Sequence, residues 1–118
     1  DYSIRQIIGV DCEEKIFAIG DYLQHNDEII FCRRDGNSAI EDMERMLLDL
    51  KLRLRTPIKG GVYISCVGRG RQQFGEHSEE VRFIHTVLGE FPLVGFFANG
   101  EIHKNALYGF TGVLMLFA

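Results

Sequence analysis

The sequence predicts an α+β domain in which two helices pack on a mixed β-sheet of about six strands, in the order βββ-α-β-α-ββ. Two stretches, residues 39–54 and 81–88, place apolar side chains at helical spacing. Short apolar runs of strand length lie before, between and after them. The chain has 118 residues, the usual size of one domain, and contains no repeat or linker. We therefore expect a single domain over residues 1–118.

Three strands are predicted before the first helix. Residues 3–10 and 15–19 are apolar runs separated by a short polar turn, a pattern that predicts a hairpin. Residues 28–33 form a third apolar run, and the turn signal Asp35-Gly36 follows it. We expect this third run to be a strand of the main sheet.

The first helix has the clearest signal in the sequence. Ser38 and Glu41 fit a capping box, in which each side chain satisfies the backbone amide of the other residue. Leu47 and Leu50 lie at the centre of the apolar stripe, and we expect both to be buried. Pro57 ends the helix, because proline cannot continue its backbone hydrogen bonds.

The remaining elements alternate between apolar runs and polar connections. Residues 61–67 form a short apolar run typical of a central strand, and residues 68–75 read as a glycine-rich loop. Residues 78–88 predict a second amphipathic helix. Residues 92–98 and 112–117 predict the last two strands, and we expect the segment between them to be a loop rather than a tight hairpin.

Parallel pairing would bring polar residues to one edge of the sheet. The predicted strands 28–33, 61–67 and 92–98 are joined by helices of crossover length, so we expect them to be parallel. Ligands of open α/β sheets bind at the carboxyl ends of such strands. The candidate ligand-binding residues that follow these three ends are Arg34 and Asp35, then Ser65, Cys66, Gly68, Arg69, Gly70 and Arg71, then Asn99, Gly100 and Glu101.

The loop Gly68-Arg69-Gly70-Arg71 can direct backbone amides and two guanidinium groups toward an anion. It lacks the glycine and lysine spacing of phosphate-binding loops, which disfavours a nucleotide. A carboxylate or another small anion fits this pattern, and so does a flexible loop without a ligand. Because an arginine between glycines supports little packing, we expect Arg69→Ala to leave the fold nearly unchanged.

Composition and charge exclude several other classes of protein. The net charge of −4 disfavours nucleic-acid binding, and no apolar run reaches the length of a membrane span. Three widely spaced cysteines give neither a disulfide framework nor zinc-binding spacing, so we expect cytoplasmic thiols and no metal or cofactor. The sequence starts at Asp1 without a leader-like segment, so we expect a piece excised from a longer chain.

A thiol enzyme is a rival function that Cys66 raises. This residue directly precedes the basic loop, where positive charge favours the reactive thiolate. A nucleophile also needs a base, which only His77, His85 or His103 could supply. Because a cysteine within an apolar run is usually inert core filling, we expect no enzymatic activity.

Three strings resemble one known family in this order and spacing. They are GGVYISCVGRGRQQFG, EVRFIHTVLGEFPLVGFFANGEI and the closing YGFTGVLMLFA, and they resemble the FIST C-terminal domain of F-box and intracellular signal transduction proteins. The resemblance implies a sensory module that follows a FIST N-terminal domain, is attached to a signalling output and binds small ligands without established enzymatic activity. The motif positions that it marks are Ser65, Cys66, Gly68, Arg69, Gly70, Asn99, Gly100 and Glu101.

The residues and the resemblance together predict a ligand-sensing input module whose ligand is small and anionic or zwitterionic, such as an amino acid. Arg34 or Arg69 would bind the carboxylate, and Asp35 or Glu101 the ammonium. The apolar walls of such a site would be Phe96 and Phe97. The alternative is a protein-interaction or dimerisation module without a ligand, which would expose an apolar patch and have no polar cleft.

Overall fold

The computed structural model describes residues 4–75 and 79–118. Two residues at which predicted elements begin, Ser3 and Ser78, lie outside the described residues. The chain divides into two compact units, residues 1–33 and residues 34–118.

The first unit contains the predicted hairpin. Strands β1 (Ile7–Asp11) and β2 (Ile16–Ile19) pair antiparallel, with Val10 opposite Phe17. The Asp11 carboxylate accepts hydrogen bonds from two backbone amides of the connecting turn, at 2.9 and 3.0 Å. An aspartate that satisfies turn amides in this way stabilises the reversal of the chain.

The predicted strand over residues 28–33 is wrong, because these residues lie in no strand. Ile29, Ile30 and Phe31 are exposed. The ring of Phe31 packs edge to face against the ring of Phe17 in β2, with a centroid distance of 5.4 Å. An apolar run forms a strand only where a neighbouring backbone offers hydrogen bonds. The apolar composition of this run is typical of a strand, but it does not show whether a neighbouring strand is present.

The described residues of the second unit form three helices and five strands. In chain order they are α1 (Gly36–Arg53), β3 (Gly60–Cys66), α2 (Gly70–Phe74), α3 (Glu79–Leu88), β4 (Leu93–Ala98), β5 (Glu101–His103), β6 (Ala106–Tyr108) and β7 (Gly112–Phe117). With the hairpin of the first unit, this order confirms the predicted α+β class. The strands are divided among three small sheets, so the single sheet of about six strands is replaced by a three-stranded sheet and two hairpins.

Helix α1 begins earlier than the capping box predicts. Its N-cap is Asp35, whose carboxylate accepts hydrogen bonds from the backbone N and the Oγ of Ser38, both at 2.9 Å. The predicted pair of Ser38 and Glu41 is therefore not the cap, since the serine hydroxyl donates to Asp35 instead. The helix ends where the backbone of Leu54 turns extended, three residues before Pro57, as predicted.

The main sheet has the order β4-β3-β7. Strand β4 runs parallel to β3, which confirms the predicted parallel pairing of these two strands across the helical crossover. Strand β7 runs antiparallel to β3, so the sheet is mixed. The central residue Tyr63 lies opposite Gly95 on one side and Leu114 on the other.

Two connections are more ordered than the sequence predicts. The predicted loop 68–75 contains the single-turn helix α2, and the predicted loop after Ala98 contains the antiparallel hairpin of β5 and β6. Lys104, in the turn of that hairpin, has a φ of +54°, a conformation that short hairpin turns require. Sequence analysis missed this turn because it lacks the usual glycine.

Helices α1 and α3 pack on one face of the main sheet, as predicted. Leu47 of α1 and Ile84 of α3 have exposed fractions of 0%. The buried core residues are Met43, Leu47, Tyr63, Phe74, Ile84 and Phe91. Burying such side chains supplies most of the free energy that stabilises a unit of this size.

The opposite face of the sheet is apolar and mostly uncovered. Strand alternation and the observed register place seven apolar side chains on this face: Val62, Ile64, Val94, Phe96, Val113, Met115 and Phe117. The five on the edge strands are exposed by 44–67%. Sheets with parallel strands are normally covered on both faces, so this second face is an unusual exposed surface.

Tyr63 lies in a slot formed by glycines on both neighbouring strands. A Cβ atom at Gly112 would lie 2.6 Å from Tyr63 Oη, and a Cβ atom at Gly95 would lie 1.8 Å from the backbone oxygen of Tyr63. Neither position has room for a side chain. The slot holds the tyrosine ring so that its hydroxyl reaches the site described next.

Candidate functional site

A cavity of about 690 Å³ lies at the carboxyl end of β3, between β4, α2 and the start of α3. Its polar lining residues are Tyr63, Ser65, Arg71, Glu79 and Glu80. The apolar lining residues include Phe74, Val81, Leu93, Phe96 and Phe97. The volume falls within the range of small-molecule sites, and apolar walls with a few polar groups are typical of them.

The Glu80 carboxylate is buried and accepts hydrogen bonds from three side chains. Tyr63 Oη donates to Oε1 at 2.5 Å, Ser65 Oγ donates to Oε2 at 2.9 Å, and Arg69 Nε donates to Oε1 at 2.8 Å. A buried carboxylate is stable only with such partners, because it has lost its hydration. Glu80 is therefore the centre of a polar network in the wall of the cavity.

Arg69 and Glu80 form a buried ion pair. Nη2 of Arg69 lies 2.8 Å from Oε1 of Glu80, and the exposed fractions of the two side chains are 16% and 7%. The same guanidinium lies 4.9 Å from the centroid of the Phe74 ring and donates from Nη1 to the carbonyl of Phe110 at 3.3 Å. The prediction that Arg69 supports little packing is wrong, because this side chain joins α3, α2 and the turn before β7.

Burial and the hydrogen bond to Glu80 raise the pKa of the Tyr63 hydroxyl above its usual value of about 10. Ionised tyrosine would place a second negative charge beside the carboxylate. Tyr63 therefore stays a neutral donor throughout the physiological pH range.

A strained turn contacts the network through Arg69. Phe110 has a φ of +60°, and its ring lies against Gly68, where a Cβ atom would be 2.6 Å from the ring. The guanidinium of Arg34 lies 4.6 Å above the Phe110 ring and donates from Nη2 to the carbonyl of Gly68. On the next residue, Oγ1 of Thr111 donates to Oε2 of Glu101.

A family model for the FIST C domain matches residues 1–104 of the chain. This chain belongs to the FIST C domain family. The family is associated with signal transduction. This match confirms the resemblance to the family; it includes the first two sequence strings and ends before the third.

Two mycobacterial relatives extend the match. An uncharacterized protein of Mycobacterium tuberculosis strain H37Rv is 36% identical over 121 residues, which cover 99% of this chain and 32% of that protein. An uncharacterized protein of Mycobacterium bovis is 35% identical over 121 residues, with 99% and 31% covered. The chain thus spans about a third of the length of these curated relatives. No solved structure matches the chain.

Seven of the candidate ligand-binding residues fall into two groups. Ser65, Gly70 and Arg71 line the cavity. Arg34, Gly68, Arg69 and Glu101 instead surround residues 109–111: Arg34 and Arg69 both contact Phe110, and Glu101 contacts Thr111. The three charged residues expected at one edge therefore lie along a single turn, although strand 28–33 does not form.

Other predicted residues have structural partners of their own. The Asp35 carboxylate caps helix α1 and does not line the cavity. Asn99 is exposed between β4 and β5, and a Cβ atom at Gly100 would lie 2.5 Å from the carbonyl oxygen of Tyr108. The sequence grouped these residues by chain position, whereas the β5–β6 hairpin carries Asn99 and Gly100 away from the cavity lining.

Cys66 is a free cysteine buried at the end of β3. Nδ1 of His85 lies 3.6 Å from Glu90, and His103 packs its ring against Tyr108. His77 lies outside the described residues. The described part of the FIST C domain contains no group of three or more His, Cys, Asp or Glu side chains placed to hold a metal ion, and none of its helices is long and apolar enough to cross a membrane.

Sequence analysis missed Glu80, the central residue of the network. Its signal was present: Glu80 lies four residues before Ile84, so both occupy the same face of α3. A carboxylate on the apolar face of an amphipathic helix must be paired when the helix docks. The complementary partner was Arg69, the arginine nearest to the end of β3.

Proposed function

We propose that this FIST C domain is the ligand-sensing input module of an intracellular signal transduction protein, and that it binds a small anionic or zwitterionic ligand, such as an amino acid, in the cavity beside Glu80. The cavity carries this proposal. It combines a volume of about 690 Å³, apolar walls and side chains of both charge signs. These are the properties that a site needs to hold a small zwitterion.

Arg71 is the proposed carboxylate partner, in preference to Arg69 and Arg34. Its side chain is exposed, lines the cavity and, among the described residues, forms no salt bridge. The guanidinium of Arg69 is occupied by Glu80, and that of Arg34 by Gly68 and Phe110. A free guanidinium can bind a carboxylate through two parallel hydrogen bonds.

The proposed ammonium partner is Oε2 of Glu80. Among the described residues, this oxygen accepts one hydrogen bond, from Ser65, whereas Oε1 accepts from both Tyr63 and Arg69. A carboxylate oxygen has two acceptor positions, so Oε2 can take a second donor. The ligand would bind without chemical conversion, and neither a metal nor a cofactor enters the proposal.

The experiment is a thermal-shift screen of the chain with the twenty L-amino acids and with succinate as an anionic probe. A ligand at about 100 times its Kd stabilises the folded state by roughly 2.7 kcal/mol, which raises the Tm of a domain of this size by several degrees. Arg71→Ala should abolish the shift, and Arg71→Lys should weaken it, because lysine keeps the charge but loses the paired hydrogen bonds.

Arg82→Ala is the matched control, since Arg82 is an exposed arginine of α3 that does not line the cavity. It should retain the full shift. A screen without any shift would contradict ligand sensing by this chain, and a shift that survives in Arg71→Ala would place the ligand elsewhere.

Within a longer protein, we propose that the domain works beside a FIST N-terminal domain and passes its signal to an output domain in the cytoplasm. Two findings support this context: the family is associated with signal transduction, and the relatives are about three times as long as this chain.

The exposed sheet face favours a second candidate function, dimerisation with another copy of this chain. The face carries seven apolar side chains and no charged one, so two copies can pack it face to face without burying a charge. Such packing would bury on the order of 1,000 Å² in total, which is the lower limit for a specific interface and indicates a weak dimer.

Light scattering after size exclusion tests this candidate by measuring the molecular mass of the chain. The protein concentration should run from about 10 to 500 μM, the range in which a weak dimer of this interface size is expected to form. The mass should double with concentration in the wild type and in Leu52→Lys, because Leu52 is an exposed residue of α1 outside the face. Met115→Lys should remain monomeric. A wild type that stays monomeric throughout would exclude the dimer.

A further inference from the structure

The backbone at Phe110 has a conformation that is uncommon for an aromatic residue. Its φ of +60° lies in the left-handed region, where the Cβ atom crowds the backbone. A residue stays in this region only where surrounding contacts hold it. Residues 109–111 are called the Phe110 turn below.

Two arginines hold the Phe110 turn, one at its backbone and one at its ring. Arg69 donates to its carbonyl oxygen at 3.3 Å, and Arg34 covers its ring at 4.6 Å. Arg69 is itself held by Glu80, in the wall of the cavity. One continuous set of contacts therefore runs from the cavity through Glu80, Arg69 and Phe110 to Arg34, the residue with which the second unit begins.

We propose that the Phe110 turn is the element that reports occupancy of the cavity, because its strained conformation depends on the ion pair between Glu80 and Arg69. This inference rests on the proposed function, in which a ligand ammonium binds Oε2 of Glu80. The ammonium competes with Arg69 for the charge of the carboxylate. Once Arg69 is released, Phe110 loses its donor, relaxes to a negative φ and withdraws its ring from Arg34.

The two acceptor atoms of Glu80 explain how the ion pair can respond without loss of the core. Arg69 and Tyr63 share Oε1, so a shift of negative charge toward Oε2 weakens both contacts together. The apolar core contains Leu47 and Ile84, whose aliphatic side chains take no part in these hydrogen bonds. The helices can therefore stay packed while the turn changes.

Two neighbouring backbone amides report the state of the turn. The amide of Cys66 donates to the carbonyl of Thr111, within the Phe110 turn, at 2.9 Å. The amide of Val67 donates to the carbonyl of Ala98, on β4, at 2.7 Å. Opening of the turn should expose the first amide to exchange and leave the second protected.

The experiment is native-state hydrogen exchange, read by NMR, on the wild type, Glu80→Gln and Glu79→Gln. Glu80→Gln mimics the effect of the ligand, because it removes the charge that holds Arg69. Hydrogen exchange at the Cys66 amide should therefore rise about tenfold or more, while exchange at the Val67 amide changes by less than about twofold. Glu79→Gln removes a charge from the neighbouring rim residue, which is outside the network, and should change neither amide.

Arg34→Ala keeps the test informative if Glu80→Gln does not fold, since Arg34 is exposed and outside the core. Loss of its contact with the ring should also raise exchange at Cys66 relative to Val67. Equal exchange ratios of the two amides in wild type, Glu80→Gln and Arg34→Ala would overturn the proposal, as would equal increases at both amides. No ligand is used, so this outcome is independent of the amino-acid screen.

Discussion

Replacing Arg69 by alanine should destabilise the domain severely. The substitution leaves the Glu80 carboxylate buried without its countercharge and removes the stacking on Phe74 and the hydrogen bond to Phe110. Breaking a buried ion pair by removing one partner costs about 3–5 kcal/mol, a large part of the 5–15 kcal/mol that stabilises a typical domain. For a chain of this length, the Tm should fall by roughly 10–20 °C.

Urea unfolding monitored by circular dichroism gives the free energy directly, with Arg71→Ala as the matched control. Arg71 is an exposed residue of α2 two positions after Arg69, so its loss should change the free energy of unfolding by less than about 0.5 kcal/mol. In a Glu80→Gln background, Arg69→Ala should cost less than it does alone, by about 0.5–3 kcal/mol. Equal stabilities of Arg69→Ala and Arg71→Ala would refute the buried pair.

Three further predictions concern single residues. Leu47→Ala should lower the free energy of unfolding by about 2–5 kcal/mol, and Leu50→Ala by less because that side chain is only half-buried; the reverse order in urea titrations would contradict the described face of α1. The raised pKa of Tyr63 stabilises the folded state fully below about pH 10 and progressively less as the pH rises beyond it. Above that pH the free energy of unfolding should therefore fall more steeply in the wild type than in Tyr63→Phe. Parallel pH curves of the two proteins would count against the raised pKa. Ellman's reagent should react with the two exposed cysteines of the native chain at once and with Cys66 only after unfolding; immediate reaction of all three would revive the thiol-enzyme reading.

The helices and the parallel pair of strands were predictable because their signals are local. Apolar residues at helical spacing, among them Met43 and Leu47, predicted the buried face of α1, and continuous apolar runs predicted β3 and β4. The run at 28–33 carried the same kind of signal but has no backbone partner, which is a property of the tertiary arrangement. The helix start was ambiguous because Asp35 and Ser38 are both good caps and compete for one position.

The position of the candidate site could be predicted from the sequence, but the pairing of its charged side chains could not. Strand ends brought Ser65, Gly70 and Arg71 to the cavity by topology alone. Which arginine is buried and which stays exposed depends on the docking of α3, since Glu80 of that helix pairs with Arg69. The spacing of residues along one chain does not contain that choice.

The glycine slot around Tyr63 constrains how sequences of this family can vary. At position 112 an added Cβ meets the hydroxyl and ring of Tyr63, so a side chain there becomes acceptable once residue 63 is small. At position 95 the added Cβ meets the backbone oxygen of residue 63, which every amino acid has. An alignment of relatives should therefore show glycine at 95 whatever residue occupies 63, while positions 63 and 112 change together.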